Sequence, residues 1–207
     1  MRTVILVKHA VPQIDPAVPA RAWRLAAAGQ QGARALADRL VTYHLTRIVA
    51  SAEPKAYETA HIVARGLDLP LTTAADLHEH VRETAPFLPD RTQFEAMIAQ
   101  FFVQPRTLVF GSETAAQAEA RFVRAVTATL ARYPDDALGI VAHGTVIALG
   151  RVVAFSASGS SIGTTMAMSD SPARKPSAMI AARLRFRICQ PSGRAIRAGA
   201  AASGIEF

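Results

Sequence analysis

An α/β domain with a mostly parallel sheet is the fold class this sequence predicts, on three observations. Short apolar runs alternate with apolar residues at helical spacing through the first 150 residues. The runs are β-branched and nearly continuous, as suits strands buried on both faces. Polar residues capable of chemistry stand directly after three of them, where ligands bind in parallel α/β sheets.

Thr3 to Val7 is the first strand, ending at Lys8 and His9. Ala33, Leu36, Ala37 and Leu40 then fall on one face of a helix, and Arg47 to Ala50 gives a second strand. Ala56, Ala60, Val63, Ala64 and Leu67 line the next helix, which should stop near Gly66 with Pro70 beyond. Phe94, Met97, Ile98 and Phe101 mark a further helix; Phe94, Phe101 and Phe102 read most simply as core or, if that helix covers the site, in part as pocket lining. Ser112 precedes another helix, with Ala118, Phe122, Ala125, Val126 and Leu130 on its apolar face. Leu138 to Ala142 is the last clear strand and runs directly into His143 and Gly144.

Bulk properties narrow the function classes. At 207 residues with half of them hydrophobic, the chain suits one globular domain. The apolar run at the start is too short for a secretory signal core, and the stretch from Leu138 to Phe155 is broken by His143 and Arg151, so no membrane span is expected. One cysteine, Cys189, supports neither a disulfide framework nor a thiolate metal cluster, and a cytoplasmic protein is expected. The net charge of +7 is not spread evenly. Residues 1–150 hold 15 Lys and Arg against 14 Asp and Glu, whereas residues 151–207 hold 8 against 2. A nucleic-acid partner would rest on the tail alone and is the least favoured of the functional classes.

The strand ends bring Lys8 and His9, Ser51 to Lys55, and His143 together. A neutral imidazole can attack phosphorus and carry the phosphoryl group covalently. The transferred group spreads negative charge over its oxygens, which fixed cations such as Lys8 and Lys55 and a second imidazole would stabilise. The segment from Leu77 to Glu83 offers two carboxyls, Glu79 and Glu83, as proton donors. Either must be raised in pKa to be protonated near neutrality, by burial or by a phosphate nearby. His44, His61, His78 and His80 read as surface or neighbouring residues; Arg21 and Trp23 are candidates for the pocket rim, Trp23 more simply for packing. No metal-ligand spacing is present and no cofactor is called for.

These residues resemble the histidine phosphatase superfamily, also called phosphoglycerate mutase-like, and its small bacterial phosphatase-like branch. The family's Arg-His-Gly after the first strand is similar to Lys8-His9-Ala10, and its Trp-x-Leu and helix-opening Gly to Trp23-Arg24-Leu25 and Gly29. Its Ser-Ser-Pro-x-x-Arg-Ala-x-Glu-Thr-Ala resembles the stretch from Ala50 to Ala60. Its glutamate after the third strand corresponds to Glu79, its Gly-Glu element to Gly111-Ser112-Glu113, and its His-Gly to His143-Gly144. The resemblance implies a three-layer sandwich and a phosphatase acting through a phosphohistidine on His9. It gives Glu79 and His143 catalytic roles, and Lys8, Lys55 and His143 contact with the phosphate, without metal. Small phosphorylated molecules or phosphoproteins are the implied substrates; a non-catalytic phospho-ligand or protein-binding relative is the alternative. Both phosphate arginines of the family are lysines here, which keeps the charge but loses the planar bidentate grip. The pocket is thus a variant one, with room for weak activity.

The chain divides near Arg151 into a phosphatase-like domain, 1–150, and an atypical basic, low-complexity tail, 151–207. The family's closing strand has no evident counterpart in the tail. Residues 183–188 alternate as a strand would, but with arginines on one face. The tail is therefore expected to leave the fold incomplete or to be disordered, either as a frameshifted C-terminus or as a basic extension. Oligomeric state leaves no mark on the sequence.

Overall fold

The structure, a computed structural model, describes residues 2–82 and 88–156 and two short strands of the tail, Thr165–Met166 and Ala181–Phe186. Four strands are parallel: β1 (Arg2–Lys8), β2 (Arg47–Ala50), β3 (Leu71–Thr73) and β4 (Leu138–Ala142). The tail contributes β5 (Thr165–Met166) and β6 (Ala181–Phe186), which run antiparallel, β6 against β1 and β5 against β6. Sheet order is β3-β2-β4-β1-β6-β5.

Both faces of the parallel part are covered, so its strands must be apolar on both sides. Val4 and Leu6 of β1 join a core with Phe101, Phe122 and Val146, while Ile5 and Val7 join a second core with Leu36, Leu40 and Val63. On the second face lie α1 (Ala27–Leu40) and α2 (Pro54–Leu67); on the first, α3 (Arg91–Val103), α4 (Ala115–Arg132) and α5 (Gly144–Ser156). This is the three-layer α/β sandwich expected.

Local chemistry sets the element ends. Pro54 opens α2, where a missing N–H costs nothing, and Asp68 closes it in the left-handed region at φ 52°. The α4 cap is Thr114, two residues after Ser112: its hydroxyl accepts from Gln117 N–H, and the Gln117 side chain accepts from Thr114 N–H. Gly29 lets α1 approach the loop after β1; a Cβ there would sit 2.1 Å from the Val11 carbonyl oxygen.

The boundary placed near Arg151 falls inside α5. The alternating segment 183–188 contains the end of β6, which lies between β1 and β5; apart from β5, β6 and the end of α5, the tail, Cys189 included, lies outside the described residues. Among the described residues no helix is long and apolar enough to cross a membrane.

Candidate active site

Strand register brings the expected residues together. Lys8 pairs with Ala142 and Ala50 with Val141, so His9, Ser51 and His143 all follow neighbouring strand ends. The His9 N–H donates to the Ala142 carbonyl at 2.9 Å. The Ala10 N–H donates to Thr59 Oγ1 at 3.0 Å, and that hydroxyl donates to the Lys55 carbonyl at 2.7 Å. The loop after β1 is thereby tied to α2. His9 Nδ1 lies 2.8 Å from the Ala10 carbonyl oxygen. A carbonyl only accepts, so Nδ1 carries the proton and Nε2 keeps its lone pair. Burial lowers the His9 pKa to about 4; the Ala10 carbonyl and Glu79 oppose this, and Lys55 and Lys8 reinforce it.

His143 is fully buried at the start of α5, its ring centroid 5.1 Å from that of His9 at an interplanar angle of 61°. Its Nε2 lies 3.0 Å from Ser51 Oγ and 3.8 Å from Glu53 Oε1, while its buried Nδ1 has no hydrogen-bond partner among the described residues. Burial holds this imidazole well below its ordinary pKa, with the charges of His9 and Lys55 acting in the same direction.

The two lysines differ. The Lys8 side chain runs past Gly144, where a Cβ would lie 3.3 Å from Lys8 Cε. Lys55 is buried, donates to the Ala20 carbonyl at 2.7 Å and pairs with the Glu53 carboxylate. Glu53 was not among the expected site residues. Its other oxygen accepts from the Glu79 N–H at 2.9 Å, linking the start of α2 to the loop after β3. The available signal was a carboxylate directly ahead of a helix-opening proline, a position the helix dipole favours.

Glu79 is buried in that loop. One carboxylate oxygen accepts from the His80 N–H at 3.0 Å and the other from Thr145 Oγ1 at 3.1 Å. Arg121 and Glu113 hold the loop from below. Arg121 donates to the carbonyls of Asp76 (2.8 Å), His78 (3.0 Å) and Glu79 (3.2 Å) and pairs with Glu113 at 2.6 Å, and Glu113 accepts from the Val81 N–H at 2.8 Å. Gly111, at φ 74°, lets the Glu113 segment approach, since a Cβ there would meet the Val81 carbonyl oxygen at 2.3 Å. Burial pushes the Glu79 carboxyl up, as expected, but the Arg82 charge, the His80 and Thr145 amides and His9 outweigh it and hold the pKa below the ordinary value. Glu83, the other candidate proton donor, lies outside the described residues. His80, read as a surface residue or a neighbour of the site, is buried next to Glu79 against Phe101 and Phe110.

A cavity of about 880 Å³ opens beside these groups. Lys55, Glu79 and Arg82 form a charged part of its wall, and Ile14, Trp23 and Phe94 an apolar part. Arg21 and Trp23 do reach it; Phe101 is core, whereas Phe102, also expected in the core, is exposed, and His9 feels Lys55 and Glu79 from outside the lining. Among the described residues no three His, Cys, Asp or Glu side chains cluster to hold a metal ion.

The parallel sheet with helices on both faces is the phosphoglycerate mutase-like fold. The profile of the histidine phosphatase superfamily (branch 1) matches residues 7–162, and the chain is a member of that superfamily. No curated protein matches the sequence. Among solved structures it is similar to a mycobacterial glucosyl-3-phosphoglycerate phosphatase, at 21% identity and TM-score 0.59 over 75% of this chain and 80% of that one. It is also similar to a phosphoserine phosphatase of Entamoeba histolytica solved with 3-phosphoglyceric acid, at 15% and 0.63 over 90% and 98%. A third is YhfR of Bacillus stearothermophilus, at 22% and 0.58 over 82% and 92%. At these identities the likeness is one of fold.

Proposed function

We propose that this chain hydrolyses a phosphomonoester or phosphoprotein through a phosphohistidine on His9. The observation that carries the reading is the state of that ring: Nδ1 donates to the Ala10 carbonyl and burial keeps the imidazole neutral, so Nε2 is a nucleophile at physiological pH. Nε2 attacks phosphorus as the ester P–O bond breaks, and Glu79, once protonated, gives its proton to the departing alkoxide. Water then attacks the phosphohistidine; the P–N bond breaks, its electrons return to Nε2, and the Glu79 carboxylate takes the water's proton. His143, Lys8 and Lys55 hold the phosphoryl oxygens, and the buried His143 Nδ1 is the atom with hydrogen-bonding capacity to spare. Phosphoglycerate and phosphoserine, named with the similar structures, are natural first substrates to try.

Incubation with a labelled aryl phosphate should leave acid-labile, base-stable phosphate on His9. His9→Ala should lower kcat by more than about a thousandfold, and Glu79→Gln by on the order of a hundredfold or more with poor leaving groups. A wild type that neither takes up label nor turns over contradicts this reading. The Lys55–Glu53 pair favours a second one, a non-catalytic relative that binds a phosphorylated ligand or protein, because it neutralises one of the cations that would stabilise a transferring phosphoryl group. That reading predicts phosphate-dependent thermal stabilisation without turnover.

A further inference from the structure

Lys55 has the least charge to give a ligand, being buried against the Glu53 carboxylate and the Ala20 carbonyl. Another cation stands in the same cavity wall. Arg82 follows the Glu79 segment in the loop after β3, at a position that none of the family motifs matched in this sequence includes. Its Nη1 is buried and has no hydrogen-bond partner among the described residues, and its guanidinium carbon lies 5.4 Å from the centre of the Phe94 ring. Glu79 and His143 both feel its charge, which puts it within electrostatic reach of both sides of the site. A guanidinium N–H removed from water without a protein acceptor is out of keeping with ordinary buried polar groups unless a ligand completes it.

We propose that Arg82 is a phosphoryl-binding residue of this pocket, supplying the planar two-pronged grip on the transferred group that lysines at positions 8 and 55 cannot. A guanidinium presents paired donors matched to two phosphate oxygens, whereas an ammonium acts as a point charge. The Phe94 ring, its centre 5.4 Å from the guanidinium carbon, limits the motion of the group by cation–π attraction. The inference rests on the same cavity as the proposed phosphatase activity but needs no turnover, so the two can fail separately.

The test is thermal unfolding of the full chain against inorganic phosphate for wild type, Arg82→Gln and Arg82→Lys, with aryl phosphate and 3-phosphoglycerate kinetics alongside. Wild type should be stabilised by phosphate. Arg82→Gln should weaken that binding roughly ten- to a hundredfold, the loss expected for a charge-assisted contact, and Arg82→Lys should recover only part of it. Activity on both substrates should fall together. Arg82-dependent phosphate binding in a protein that turns nothing over would uphold the assignment and remove the phosphatase reading. The assignment is overturned if phosphate does not stabilise wild type, if Arg82→Gln or Arg82→Lys binds it as wild type does, or if only the carboxylated substrate is affected. Should Arg82→Gln not fold, the lysine variant decides alone.

Discussion

His9 and Glu79 make opposite demands on pH. With its pKa lowered to about 4, His9 is a neutral nucleophile throughout the physiological range. Glu79, held below its ordinary pKa mainly by Arg82 against the effect of burial, is a carboxylate there and is in the wrong form to protonate a leaving group. A bound phosphate takes up the Arg82 charge and adds negative charge of its own, both of which raise Glu79. The fraction of enzyme with neutral His9 and protonated Glu79 therefore grows as pH falls towards about 4. The kcat/KM for an alkyl phosphate such as phosphoserine should rise from pH 8 towards 5; a profile climbing with pH would remove Glu79 from the acid role. Stability has the opposite sign. His9, His80 and His143 all have lowered pKa values when folded, so their contribution is complete above about 6.5, the unfolded value, and is lost as pH falls through the folded values. Urea unfolding should show stability declining below pH 6.5, by at most about 1.4 kcal/mol per pH unit for each such histidine.

Among the elements, the loop after β3 carries Glu79 and Arg82 and is anchored in the core by Leu77, while its polar backbone is held by side chains from elsewhere. Its geometry depends on Arg121 from α4 and on Glu113, both nearly buried. Removing one partner of such a pair leaves an uncompensated charge, so Arg121→Met should cost about 3–5 kcal/mol and lower kcat as Glu79 loses its position. Chemical denaturation and initial rates read the two effects. The loop after β1 is secured differently, by Thr59 accepting from the Ala10 N–H. Thr59→Val keeps the shape and deletes the acceptor, which should cost about 1–3 kcal/mol. A variant with wild-type stability and rate would show that Ala10 is held by other means.

At the scale of the whole molecule, β1 is flanked by β4 on one side and by β6, from the basic tail, on the other. A chain ending at Ser156 would leave the β1 edge from Arg2 to Val7 without its antiparallel partner. Such an edge templates association, so the truncated protein should unfold at lower temperature and self-associate, as calorimetry and size-exclusion chromatography would show. Equal behaviour of the two forms would support the division into a self-sufficient phosphatase-like domain and a dispensable tail. The cavity makes a separate demand on substrate. Its apolar wall from Ile14 to Phe94 suits a leaving group with hydrophobic surface, and Phe94→Ala should raise KM for an aryl phosphate several-fold while affecting phosphoserine less.

By itself the sequence determined three of the four parallel strands and the helices α1 to α4, because apolar periodicity is local and is not overridden when both sheet faces are buried; β3, three residues long and not fully buried, carries too short a run to be read. It also determined the convergence of His9, Ser51 and His143, since in a parallel sheet strand ends share one edge. The ionic partnerships were decided only by tertiary structure. Lys55 and Glu53 are two residues apart, yet their pairing depends on α2 beginning at Pro54 and on the Ala20 carbonyl arriving from another loop. Arg82 resembled any loop arginine until its Nη1 proved buried beside Phe94, and His80 any polar loop residue until Phe101 and Phe110 enclosed it. Charge and burial at such positions depend on groups distant along the chain, and a local pattern cannot encode the distance between two elements that meet only when the sheet and its helices pack.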